Sequence, residues 1–161
     1  MPPPPPLPFA ERHAKAARLV GRARNFFDGW VQAQEKEAEG IEARAYFTAL
    51  LAHVAALFET RRDTINLPTL AQEGAGLEEQ LNHAMGLARR VNNLRNDDFS
   101  NRVDLPSFAE AFKRAQLGPD EIEELLGLAQ AIVDRLAPSG DQHRPEVIDV
   151  GQGGAGDDEV A

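Results

Sequence analysis

Cysteine is absent from the 161 residues, which excludes a disulfide framework, a thiolate nucleophile and a zinc–thiolate site. That absence suits a reducing compartment, and a cytoplasmic location is the expectation. Long apolar runs are missing too. No stretch approaches the roughly 18 residues of a membrane span, so no membrane partner is expected, and the first residues lack the basic-then-apolar order of a secretory signal. The two-residue alternation of strands does not occur. Basic charge is in deficit, with 17 Lys and Arg against 26 Asp and Glu and a net of -9. An acidic chain is poorly suited to broad, sequence-independent nucleic-acid binding, which neutralises phosphates with cations. A small local basic patch is still compatible with that balance. No phosphate-cradling glycine loop, zinc pattern or nucleophile elbow is present, so neither a metal nor another cofactor is expected.

What is present is helical. Residues 1–8 are a polyproline leader, expected to be extended and solvated, with a ligand for a proline-binding module as the functional alternative. Residues 9–137 are dominated by Ala, Leu, Glu, Gln and Arg, and form the expected folded domain. Residues 138–161 carry six acids against Arg144 alone, a net of -5, among repeated glycines. Such a tail has too little apolar surface to fold and is expected to be disordered. Within the domain, apolar periodicity predicts helices over 10–39, 41–60 and 77–94. Asp28-Gly29 is a candidate break in the first. Pro68 is placed to start a short helix with Asn66 or Leu67 near its cap, and Pro106 and Pro119 to open two more, over 106–116 and 119–136. No internal repeat is evident. The expected fold class is all-α, a compact antiparallel helical bundle.

The chemistry concentrates at the end of the third long helix, in Leu94-Arg95-Asn96-Asp97-Asp98-Phe99-Ser100-Asn101-Arg102. Six residues at about 100° each place Arg95 and Asn101 on different faces of an unbroken helix. A shared site requires the helix to loosen after Arg95, which Asn96-Asp97-Asp98 would permit. The plain alternative is a charged helix end in which Arg95 pairs with Asp97, Asp98 or a neighbouring helix. Arg61-Arg62 and Arg89-Arg90 are candidates to join Arg95 and Arg102 in a small anion-binding surface, against the alternative of ion pairs on a solvated bundle. His83 precedes Arg95 by about 18 Å of helix, out of reach of the same site. His53 is expected to be partly buried, and His13 and His143 solvated near the termini. The acids after Pro119 suit a helix N-terminus rather than a calcium loop.

Several segments together resemble one family. Ala45-Tyr46-Phe47-Thr48-Ala49-Leu50-Leu51, then Leu57-Phe58, then Arg62-Asp63-Thr64-Ile65-Asn66-Leu67-Pro68-Thr69-Leu70 is similar to the AbiU2-like branch of HEPN domains. Phe99-Ser100-Asn101-Arg102-Val103-Asp104 stands where that branch has Phe-Ala-His-Arg-x-Asp. Arg95-Asn96 occupies the place of the family's arginine and its polar follower, and Asn101 that of its histidine. The resemblance covers roughly residues 9–137. It implies a compact helical bundle, usually a homodimer in which the motifs of two chains face each other, and metal-independent ribonuclease activity. Arg95 would stabilise phosphate charge, with Asn96 and Arg102 as further phosphate-binding candidates. Asn101 would still donate a hydrogen bond, yet a carboxamide cannot exchange a proton near neutral pH as an imidazole does. General acid–base catalysis is typically worth about 10²–10⁴-fold, so the expected function is a catalytically degenerate domain that binds RNA or a protein partner. The family implies a bacterial defence or toxin–antitoxin setting. The alternatives are an active ribonuclease using Arg95 with a non-histidine partner, and a dimeric helical adaptor with no link to RNA.

Overall fold

The structure is a computed structural model that describes residues 2, 4, 5, 7–96 and 107–138. These residues form an all-α bundle with six helices: α1 Phe9–Lys36, α2 Ile41–Leu57, α3 Leu67–Ala71, α4 Glu78–Leu94, α5 Phe108–Ala115 and α6 Pro119–Arg135. None of the described helices is long and apolar enough to cross a membrane.

Helix α1 buries His13, Ala16, Val20, Ala23, Phe27, Trp30 and Ala33. Steps of three and four residues put all of them on one stripe. The stripe is continuous through Asp28-Gly29, the candidate break, as one helix. Gly29 serves close packing instead: a Cβ built there would lie 2.6 Å from Cε1 of Tyr46 on α2. The four residues after α1 reverse the chain, and α2 packs back along α1. Trp30 meets Phe47 at 5.0 Å between ring centroids, and Phe26 meets His53 at 4.9 Å. Early residues of one helix therefore face late residues of the other, which makes the pair antiparallel.

Helix α2 ends at Leu57, three residues before the expected boundary, with Phe58 as its cap. Asn66 organises the loop from α2 to α3. It is fully buried, and its side chain caps α3 by accepting from the backbone N–H of Thr69 at 2.9 Å. Its amide nitrogen donates to the carbonyl of Arg61 at 2.8 Å and to Thr64 Oγ1 at 3.0 Å. One side chain thus starts α3 and closes the loop that leads into it, the role expected of Asn66 or Leu67.

Helices α4 and α6 also run antiparallel, with His83 opposite Glu124 and Arg90 opposite Glu121. Pro119 opens α6 as expected, and Asp120 and Glu121 lie in its first turn, where carboxylates favour the positive helix end. Helix α5 opens at Phe108 on a Ser107–Glu110 capping box; Pro106, the expected opener, lies outside the described residues. The backbone N–H of Phe108 donates to Glu39 at 3.1 Å, and Phe108 packs with Trp30 and Phe47. These contacts fasten α5 to the turn between α1 and α2. The buried apolar side chains from Ala16 to Leu136 form one cluster.

His13 corrects an expectation. It is buried rather than solvated, with Nε2 2.8 Å from the carbonyl of Val133. A carbonyl only accepts, so Nε2 carries the proton. The histidine therefore joins α1 to α6 in place of an apolar residue.

Candidate functional site

The C-terminal half of α4 divides its side chains between core and cleft. Val91 and Leu94 are buried and hold the helix against the bundle. Met85, Ala88, Arg89, Asn92 and Arg95 fall within an arc of about 120° on another side of the helix, with Arg89 and Arg95 at its two edges. That face forms one wall of a cleft of about 400 Å³, and Val54, Ala55, Phe58 and Glu59 at the end of α2 form the other. The floor is therefore apolar, and the rim carries two arginines, one asparagine and one glutamate. Arg89 and Arg95 make no hydrogen bond or ion pair with a described residue, so both guanidinium groups are available to an anion. The lining carries two positive charges against one negative.

Arg95 sits where the helix loses its regular geometry. Its backbone N–H is shared between the carbonyls of Val91 and Asn92, and the chain widens to a π-type turn at Arg95 and Asn96. Single widened turns of this kind are frequent at functional positions. Arg95 itself keeps right-handed helical dihedrals, φ -61° and ψ -48°, and the stretch between Asn96 and Asn101 that a shared site requires to loosen lies outside the described residues. Asn96 is exposed beside it. Asn101 and Arg102 lie outside the described residues, as do Asp97 and Asp98.

The arginine cluster expected from the sequence separates into two populations. Arg90, next to Arg89, points to the opposite side, where it donates to the carbonyl of Gln116 at 3.2 Å and to Glu121 at 3.1 Å. Arg61 forms a two-point contact with Asp63, at 3.1 and 2.6 Å. That contact is the main cause holding the Asp63 carboxyl below its ordinary value, with desolvation acting in the other direction. The pairs Arg89-Arg90 and Arg61-Arg62 therefore do not form one basic surface. One residue of each pair is occupied by a local acid, and Arg89 is the member brought to Arg95.

None of the described histidines lines the cleft. His13 is committed to Val133 as above. His53 places Nδ1 2.9 Å from the carbonyl of Ala49 one turn earlier, and His83 faces Glu124 at 2.8 Å on an exposed part of the α4–α6 contact. Among the described residues, no group of three or more His, Cys, Asp or Glu side chains is arranged to hold a metal ion. Among the described residues the lining therefore holds no imidazole, and its polar groups are two arginines, one asparagine and one glutamate.

The α2 wall was not foreseen from the sequence. Val54 and Phe58 belong to the apolar stripe of a core helix, and periodicity alone does not distinguish a core position from a cleft floor. No protein-family model, curated protein or solved structure matches the chain.

Proposed function

We propose that this is a HEPN-like helical domain, of the AbiU2-like kind and without the motif histidine, that binds RNA through phosphate contacts at Arg95 and Arg89. The observation that carries this reading is the presence of two arginines, neither with a partner among the described residues, on one wall of the α2–α4 cleft, at the helix end where the family resemblance puts its arginine. Arginine suits the role because its planar guanidinium offers two parallel donors to a phosphate. The overall charge of -9 limits the interaction to a local one, so affinity depends on few contacts and falls with salt. Asn101 and Arg102 come next in the chain and extend the donor set on this reading, while Asn101 supplies no proton transfer. A homodimer that brings two such clefts together, in a bacterial defence or toxin–antitoxin setting, belongs to the same proposal.

The test is fluorescence anisotropy of the full chain with a labelled single-stranded RNA in low salt. Two phosphate contacts predict a log–log salt slope of about -1.4, from about 0.7 per contact on single strands. Replacing Arg89 and Arg95 together with Ala is expected to remove most of the binding. Equal binding by wild type and the double variant would sink the proposal. The same RNA, incubated without metal, is expected to show no cleavage above an Arg95→Ala control. Cleavage that depends on Arg95 would overturn the degenerate reading and favour an active ribonuclease.

A further inference from the structure

Beyond the cleft, the outward side of α4 carries a second set of polar groups. Asn82, Gly86, Arg89 and Asn93 follow one another at steps of four, three and four residues. They therefore lie within an arc of about 60° and extend about 16 Å along the helix. Asn82, Arg89 and Asn93 are exposed, and Asn96 is exposed just beyond them. Arg89, at the edge of the cleft wall, is the boundary between cleft and stripe.

The fold gives these residues no task. Among the described residues, none hydrogen-bonds to the side chains of Asn82, Arg89 or Asn93. A Cβ added to Gly86 would meet nothing within 4 Å, so close packing inside the bundle does not require glycine there. Local propensity does not favour them either. Asparagine and glycine are both poor helix formers, and a carboxamide competes for the backbone's own hydrogen bonds. The stripe also lacks acid: residues 80–96 contain no Asp or Glu, in a chain whose net charge is -9. Such residues weaken the helix and stabilise nothing in the described bundle, while leaving the face open to a polar, anionic ligand.

We propose that this stripe reads bases, and that the RNA held at Arg89 and Arg95 is single-stranded and rich in adenine. The inference deepens the RNA reading and rests on it. A carboxamide presents an acceptor and a donor side by side. Adenine offers the complementary pair on both of its edges, N6–H with N7 on one and N6–H with N1 on the other. Guanine shows two acceptors at its N7 edge, and the pyrimidines have such a pair only on their base-pairing edge. Single strands leave these edges open, whereas a double-stranded RNA helix buries them in pairing or in its deep, narrow groove. Arg89 on a phosphate would hold the strand, with Asn82 and Asn93 about 10 and 6 Å away along the helix on either side. Gly86, between Asn82 and Arg89, would let a base or ribose come against the helix backbone.

The test is fluorescence anisotropy of the full chain in low salt with labelled octa-adenylate, octa-uridylate and octa-cytidylate RNA. The wild type is expected to hold octa-adenylate several-fold more tightly than either pyrimidine strand. Asn82→Ala/Asn93→Ala should bring that affinity level with octa-uridylate, and Gly86→Ala should lower it several-fold. Both variants improve helix propensity, so their thermal midpoints should rise by about 2–4 °C; binding lost by a more stable protein is not lost to unfolding. Equal affinity of the wild type for all three strands, or an adenine preference that survives both variants, overturns the stripe. If that binding still requires Arg89 and Arg95, the RNA reading stands. An adenine preference that Asn82→Ala/Asn93→Ala removes and Arg89→Ala/Arg95→Ala leaves intact refutes the phosphate contacts and keeps the stripe. No binding of any strand refutes both.

Discussion

Replacing Asn66 with Ala tests how the loop between α2 and α3 is held. The side chain is fully buried and satisfies groups on both sides of itself. Its oxygen accepts from Thr69 N–H at 2.9 Å, and its nitrogen donates to the Arg61 carbonyl at 2.8 Å and to Thr64 Oγ1 at 3.0 Å. Loss of a helix N-cap costs about 1 kcal/mol. The two donations from its nitrogen are worth about 0.5–1.5 kcal/mol each. The Arg61 carbonyl also accepts from Thr64 Oγ1 at 3.2 Å, so the lower part of that range applies, and the total is about 2–3 kcal/mol. Urea unfolding of a domain this size has a slope of about 1–3 kcal/mol per molar. The midpoint should fall by roughly 1 M or slightly more, with an unchanged slope. Asn66→Asp keeps the cap acceptor but loses the donor and turns a carboxylate toward two oxygens, so it should rescue little at neutral pH. A loss below about 0.5 kcal/mol in Asn66→Ala, the size of an ordinary surface change, would refute this account of the loop.

Three further outcomes are expected. Gly29→Ala gains about 1 kcal/mol of helix propensity, yet its methyl would meet ring atoms of Tyr46 at 2.6 to 2.9 Å. Overpacking of about 1–3 kcal/mol should win, and thermal unfolding should move down by a few degrees; a rise would show that the half-buried ring swings aside freely. Asp63 should titrate below an ordinary aspartate by carboxyl NMR and return to the usual range in Arg61→Gln, because the Arg61 contact lowers it. A depressed folded value stabilises above the unfolded pKa, and that contribution is lost as pH falls through the folded pKa, so acid should weaken the Arg61–Asp63 contact. Asn101→His should gain metal-independent RNA cleavage that Arg95→Ala abolishes; a chain that stays inactive while still binding RNA would show that more than an imidazole is missing.

Much of the fold was legible because its signals are local. The three- and four-residue spacing of Ala16, Val20, Ala23, Phe27 and Trp30 gives a helix whatever packs on it. Pro119 followed by Asp120 and Glu121 marks a helix start, and Asn66 marks a cap. Gly29 was misleading because glycine has two uses, releasing the backbone and letting another element approach. Only knowledge of Tyr46 as its neighbour, 17 residues on, decides between them. His13 was misleading for a similar reason. Its place near the start of the chain suggested solvent, while its carbonyl partner lies 120 residues away on α6.

The site was legible only on one of its two walls. Arg95 stands out in the sequence because it ends an apolar helix, and Arg89 because it begins a charged pair. That Arg89 reaches the cleft while Arg90 turns to Glu121 results from one residue of helical rotation, about 100°. The distinction matters chemically. An arginine already bound to a carboxylate must break that contact before it can hold a phosphate. Arg61 and Arg90 bear that cost; Arg89 and Arg95 do not. On the proposed reading, two arginines without a partner among the described residues, rather than the number of arginines nearby, are what would let an acidic protein hold an anion.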